Sequence, residues 1–434
     1  MADQDAPRRG YGAGARILSV GIALTGVVTF AYFSLASHGL SADEYSRISI
    51  LWSVLFVVVT VLYRPIEQLL SRTIAERRAL GHGSHPLREP LLIQTAFAAL
   101  FLVAALALRG PIQDDLLDGS ESLYWILVAA VLAYAASYFA RGWLAGHQRF
   151  ELYGGLVFLE ATTRVLFALA VVLGLASGQT AVAIGMVAAP CVSLIVVPLA
   201  FSRNDPPASQ GEVQEAEGGL SLRHGIGFAA AVLVVMAAEQ TLINGAVIAV
   251  DITSTDAALA GIVFSILLIA RAPLQLFQAI QGSLLPHLAG LNATEDGGEF
   301  SRAIRVTVLA IAGFAAAVAI GLAAVGPFAM DLLFDLDYDW SRVGLAIVAV
   351  GMGLHLAGGT LNQAALARGH AREAAVAWAI AGVAFMVWMF APVVDDEVLR
   401  AELGYALAAG LLCALLTVVY RLRPAPEAAA AAHD

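Results

Sequence analysis

The residues of this 434-residue chain best placed to do chemistry are the few charged and amide side chains that interrupt long apolar runs. A charge sunk in such a run costs roughly 2.5 to 3.5 kcal/mol on insertion scales, so each needs a partner, a water-filled cavity or a charged ligand. Glu160 and Arg164 stand four residues apart, on one helical face, where they can neutralise each other and fix helix packing or leave the arginine for a ligand. Glu239 lies mid-run with Gln240 and Asn244 close by, and could pair with a distant arginine or hold a coupling ion. Arg271 has no acid within a turn along the chain and precedes Pro273, so its partner is another helix, water or an anionic ligand. Gln275, Gln278 and Gln281 recur every three residues and put an amide face beside it, the pattern of a hydrated cavity wall. Arg64, before Pro65, either snorkels to lipid headgroups, pairs with Glu67 or enters a vestibule. The chemistry on offer is binding: guanidinium groups hold phosphate or carboxylate through paired donors, more strongly where the dielectric is low.

Bond-making chemistry is not expected. The sequence holds no clustered His, Cys or acids at metal-ligand spacing and no nucleophile motif. With every basic residue an Arg, a phosphate-binding glycine loop ending in Lys is excluded, and no cofactor is implied. His355 and Asn362-Gln363 could line a proton path, but a lone buried His more often bonds a neighbour. Asn292-Ala293-Thr294 matches a glycosylation acceptor in a loop expected to face the cytoplasm. Cys191 and Cys413 sit in apolar runs as small hydrophobes, with no disulfide framework.

The elements that must position these residues are membrane helices. The chain is 59% apolar and 13% charged, too little polar surface for a soluble domain of this length. Windows of about 19 residues predict spans near 16–37, 45–64, 90–108, 123–141, 152–176 and 180–201. A second six follow near 225–250, 257–281, 303–326, 342–364, 373–392 and 402–420. Arg8-Arg9 precede a stretch long enough to span, so that stretch reads as the first helix rather than a cleaved signal. The fold class expected is an all-α membrane protein of about twelve transmembrane helices in two six-helix bundles. Residues 1–203 form the N-terminal bundle, the polar Pro- and Gly-bearing stretch 204–222 a cytoplasmic linker, 223–423 the C-terminal bundle and 424–434 an Ala-rich tail.

Charge sets the orientation. With both termini cytoplasmic, roughly 18 arginines fall inside and about 4 outside, as insertion favours. Acids fill the outer loops: Asp43-Glu44, Asp114-Asp115, Asp335 to Asp339 and Asp395-Asp396-Glu397. Six spans per half give the halves one orientation, and short matches recur in equivalent places. Gly146-His147-Gln148-Arg149 follows the fourth span and Gly369-His370-Ala371-Arg372 the tenth; Arg64-Pro65 with Gln68 has its counterpart in Arg271-Ala272-Pro273 with Gln275. This predicts a parallel duplication about an axis along the membrane normal, with a site at the interface of the halves.

The segment Arg64-Pro65-Ile66-Glu67-Gln68 with Ser71-Arg72, the basic loop Ala75 to Gly81, Gly142-Trp143-Leu144-Ala145-Gly146, Tyr153, and Glu160 to Arg164 together resemble polysaccharide biosynthesis flippases. These O-antigen-type exporters fall in the multidrug, oligosaccharidyl-lipid and polysaccharide (MOP) superfamily. The resemblance implies alternating access in the plasma (inner) membrane of a bacterium. The cargo would be a polyprenyl-diphosphate-linked saccharide, with membrane lipids, a glycan polymerase or glycosyltransferases as further partners. It makes Arg271, Arg164 and Arg64 the residues for the anionic headgroup. An ion-coupled multidrug antiporter is the second expectation, with Glu239 replacing the acid missing from the first span. A major-facilitator fold, a membrane scaffold and a glycan polymerase are the others. The loop Ser71 to Gly81 lacks the facilitator pattern, and no outer loop is long enough for a polymerase domain.

Overall fold

The computed structural model describes residues 6–79, 87–198, 222–269 and 297–422. Among these described residues no strand occurs and twelve α-helices form. These are α1 (Ala6–Gly39), α2 (Ala42–Ala79), α3 (Arg88–Ala107), α4 (Glu121–Gly146), α5 (Phe150–Val172) and α6 (Gly178–Ser193). Then follow α7 (Leu222–Thr253), α8 (Leu259–Ile269), α9 (Gly297–Leu333), α10 (Arg342–Ala367), α11 (Ala371–Phe390) and α12 (Glu397–Leu422). Ten helices among the described residues are long and apolar enough to cross a membrane. Their outward faces are apolar too, as at Leu100 and Val103 of α3 and Leu309, Ile320 and Phe328 of α9, all more than half exposed, as side chains that meet lipid rather than protein are. The protein is a multi-pass, all-α membrane protein. Linker residues 204–221 and the tail 424–434 lie outside the described residues, as do Arg271, Gln275, Gln278 and Gln281.

The chain divides into two compact units, Met1–Leu220 and Ser221–Asp434. In the first, α1 packs on α5, α2 on α4, and α6 on both α4 and α5. In the second, α7 packs on α11, α10 on α9 and α12, and α12 on α11. Numbered within its own unit, the first helix therefore meets the fifth, and the sixth meets the fourth and the fifth, in each half.

The fourth helices show the repeat at atomic detail. Helices α4 and α10 are both 26 residues long. Ser120 caps α4 by accepting from the Leu123 amide, and Ser341 caps α10 by accepting from the Gly344 amide. At the other end Arg149 N donates to Leu144 O and Gln148 N to Ala145 O; His370 N donates to Ala365 O and Gly369 N to Leu366 O. Each is a Schellman turn, closed through a left-handed residue, Gln148 (φ 57°) or Gly369 (φ 78°). The structural register is thus 221 residues, 120 to 341 and 149 to 370. It sets His147 against Arg368, and so displaces the Gly-His-x-Arg match of the sequence by two positions. What repeats is the turn, not the tetrapeptide.

Helix α2 runs about four turns past Arg64, through Pro65, so the residue expected at the end of the second span sits inside a continuous helix. Glycines let α4 lie close along it: a Cβ on Gly142 would come within 2.8 Å of the Glu67 carbonyl, and one on Gly146 within 2.7 Å of Ile74 Cβ.

Candidate functional site

In the first unit, one stripe of α4 carries Tyr134, Ser137, Tyr138 and Arg141, at the i, i+3, i+4, i+7 spacing that lines one side of a helix. It faces Glu160 and Arg164 of α5. Glu160 is 2% exposed, a depth at which an isolated carboxylate would be costly, and its oxygens are filled. Arg141 Nη2 donates to Oε2, Ser137 Oγ donates to Oε1, and Ser193 Oγ of α6 donates to Oε1 at 3.3 Å. The Arg141 guanidinium also lies 4.5 Å from the Tyr138 ring centroid.

Arg164 does not pair with Glu160, which corrects the expectation drawn from their spacing. Its Nη1 donates to the Tyr134 hydroxyl at 2.6 Å, and its Cζ lies 5.1 Å from the Trp52 ring centroid and 5.9 Å from that of Phe56. Its Nε is buried without a hydrogen-bond partner. Trp52 and Phe56 are themselves in contact, with centroids 4.1 Å apart, so the guanidinium rests on an aromatic wall rather than against an acid. Gly185 of α6 permits this seating, since a Cβ there would crowd Phe167 and approach the Arg164 backbone at 3.4 Å.

Among the described residues, Arg141 is thus paired with Glu160, while Arg164 has no acid within ion-pair distance. One turn of α2 nearby, half-buried Arg64 precedes Glu67, whose Oε1 accepts from the Tyr153 hydroxyl at 2.7 Å.

The second unit holds no such charge in the same register. The positions 221 residues on from Glu160, Arg164 and Arg141 are Ala381, Phe385 and Asn362, and that of Tyr134 is His355. Asn362 Oδ1 accepts from Trp378 Nε1 at 3.1 Å, and His355 Nδ1 lies 3.3 Å from the Tyr405 hydroxyl. His355 thus bonds a neighbour on one side, as a core histidine does. In α7, Asn244 donates to Gln240 at 2.9 Å, both buried, with half-buried Glu239 one residue before. Those amides satisfy each other across one helical turn.

Sequence reasoning found Glu160, Arg164, Glu239, Gln240 and Asn244 as interior polar groups, and set Arg64 at the end of a span. It missed Arg141, placed at the end of a span, and the Tyr134, Ser137, Trp52 and Ser193 side chains that complete the site. The α4 stripe was the available signal: three polar-headed residues at helical spacing before a terminal arginine.

No family model matches the chain. Two uncharacterized proteins of Mycobacterium tuberculosis are similar to it. One is 24% identical over 364 residues, covering 80% of this chain and 79% of its own length. The other is 27% identical over 403 residues, covering 88% and 85%. Among solved structures, the chain has the fold of transporters of the MOP superfamily. An inward-facing multidrug resistance MATE family transporter of that superfamily aligns with TM-score 0.67 at 12% identity, over 94% of this chain and 97% of the other. A mutant form of the Vibrio cholerae MATE transporter VcmN gives 0.59 at 14%, over 95% and 98%. A MOP superfamily transporter from Pyrococcus furiosus, described as having a binding pocket of reverse polarity, gives 0.62 at 12%, over 94% and 95%. At such identities the likeness is one of fold alone.

Proposed function

We propose that this protein is an exporter of an anionic amphiphile, a polyprenyl-diphosphate-linked saccharide, across the bacterial plasma membrane by alternating access. The observation that carries the reading is Arg164: a buried guanidinium with a hydroxyl and two rings as its neighbours and, among the described residues, no carboxylate within ion-pair distance. A cation held this way keeps its full charge for a phosphate, and a hydrogen bond to a charged group is worth about 1.5 to 3 kcal/mol. Arg271 and Arg64 are the further headgroup residues of this reading, Arg64 on the same unit and Arg271 outside the described residues. Glycosyltransferases and a glycan polymerase would then supply and consume the cargo.

The test is reconstitution of the full chain in liposomes, with translocation followed for a labelled polyprenyl-diphosphate saccharide and, separately, a cationic dye. The lipid-linked saccharide should cross and the dye should not. Arg164→Gln, which keeps a donor toward Tyr134 but removes the charge, should slow the saccharide by about ten- to a hundredfold. Unchanged saccharide transport in Arg164→Gln, or transport of the dye alone, overturns the reading.

The second reading is an ion-coupled multidrug antiporter, favoured by the MATE fold. It assigns ion exchange to Glu239 or Glu160 and predicts dye movement driven by a proton or sodium gradient, lost in Glu239→Gln or Glu160→Gln.

A further inference from the structure

Helix α12 opens on an acidic turn. Asp396 caps it, its Oδ1 accepting from Val398 N at 2.9 Å and Leu399 N at 3.0 Å. Little more than a turn further on stands Glu402, only 3% exposed. Among the described residues its carboxylate has neither a hydrogen-bond donor nor a cation within ion-pair distance.

The nearby arginines are committed elsewhere. Arg400 donates to Met389 O at 3.3 Å and reaches Glu397 at 3.6 Å. Arg342, at the start of α10, donates to the Ala323 and Ala324 carbonyls of α9. The titratable groups that do act on Glu402 are Asp396 on its own side and Tyr338 from the segment between α9 and α10, which is beside Asp339. None of these is a cation.

The carboxylate lies against the α-carbon of Gly344 in the first turn of α10, where a Cβ would overlap both its oxygens. On the other side is a crevice too narrow to admit a water molecule, lined by Val263, Ile266 and Leu267 of α8 and Val398 and Ala401 of α12. A carboxylate anion buried in this way, with no donor or cation in contact, has only the partial positive charge of the first turn of α10 to offset its lost hydration. The crevice is too narrow for a hydrated ion, and a proton is the cation that needs no space.

We propose that Glu402 is a proton-exchange site of the second unit. With α8 seated against α12 the carboxyl carries a proton. When the two helices part, water enters the crevice, the O–H bond breaks, and the proton passes to water, leaving a carboxylate that the opened crevice hydrates. Protonation and the position of α8 are thereby linked, each biasing the other by the same free energy. Gly344 is the positioning residue, because only a missing side chain leaves room for the carboxyl. The inference concerns the ion and does not depend on which cargo the protein carries.

Infrared spectroscopy of the full chain in liposomes tests it without any cargo. At neutral pH the carbonyl stretch of a protonated, buried carboxylic acid should be present, should vanish in Glu402→Gln, and should persist in Glu160→Gln, where the lost carboxylate is ion-paired. In Gly344→Ala the added methyl displaces the carboxyl, and the band should shift or disappear. A band that is unchanged in Glu402→Gln, or no such band in the unmodified protein, overturns the proposal. Should Glu402→Gln fail to insert, an unmoved band in Gly344→Ala overturns it instead.

Discussion

Arg141 reaches from α4 to the carboxylate of Glu160 on α5, across 19 positions of sequence, while Arg164 one turn along from Glu160 turns away to Tyr134. The arrangement splits three buried charges into a closed pair and a separate cation. The closed pair joins α4, α5 and, through Ser193, α6.

The pair should matter to stability more than to cargo. Glu160→Ala strands the Arg141 guanidinium in the interior, a change that costs about 3 to 5 kcal/mol when a buried ion pair loses one partner. Thermal unfolding in detergent should fall sharply for Glu160→Ala and for Arg141→Ala. Replacing both with apolar residues of similar volume should recover most of the loss, since the pair's desolvation cost disappears with it. A double variant as unstable as the sum of the two single ones would contradict this account.

Tyr134→Phe removes the oxygen that receives the Arg164 Nη1 hydrogen bond and keeps the ring. A cost of about 1 to 3 kcal/mol is expected, from leaving a buried donor unpaired. Because the freed guanidinium still carries its charge, an anionic probe should bind the variant at least as well as the unmodified protein. Titration of both with a soluble diphosphate analogue would show it.

Close packing of α4 on α2 rests on Gly142. In Gly142→Ala the new methyl meets the Glu67 carbonyl, backbone that cannot rotate aside, so the helices must separate at a cost of about 1 to 3 kcal/mol. Gly155→Ala on α5 and Gly313→Ala on α9 add methyls into open space and should leave the unfolding temperature almost unchanged. Equal effects at the three positions would remove the packing explanation.

Arg368, the C-cap of α10, packs against two nearly parallel rings. Its Cζ lies 4.6 Å from the Phe300 centroid and 4.4 Å from that of Tyr420, and Nη1 donates to Tyr420 O at 3.0 Å. Arg368→Ala should destabilise the second unit by about 1 to 2 kcal/mol, with Arg368→Lys in between because an ammonium keeps charge but not planarity. Hydrogen exchange in α9, α10 and α12 would register the loosening.

The helices were legible because lipid demands long apolar runs, and all twelve predicted spans overlap a described helix. Their ends were less so. Hydropathy stops where hydrocarbon stops, whereas the backbone of α2 continues through Pro65 to Ala79, the proline costing one amide hydrogen bond without ending the helix. Interior charges were legible one at a time, since Glu160 and Arg164 are conspicuous among apolar neighbours. Their partnership was not. Spacing on α5 offered a local pair, and the tertiary fold supplied better: two serines and an arginine for the acid, a phenol and two rings for the base. Arg141 escaped notice because a cation at the end of a span usually reaches for headgroups, and only packing shows that this one turns inward.

The matched length of α4 and α10 has a consequence for how such a chain can change. Both must traverse the same sheet of hydrocarbon between the same kind of serine cap and left-handed turn, so a residue gained or lost inside either would tilt or strand one end. Substitution, by contrast, meets no such barrier, and one copy has kept its ions while the other holds Asn362, Ala381 and Phe385 in their stead. Bilayer thickness fixes the measure of each half and leaves its chemistry free to diverge.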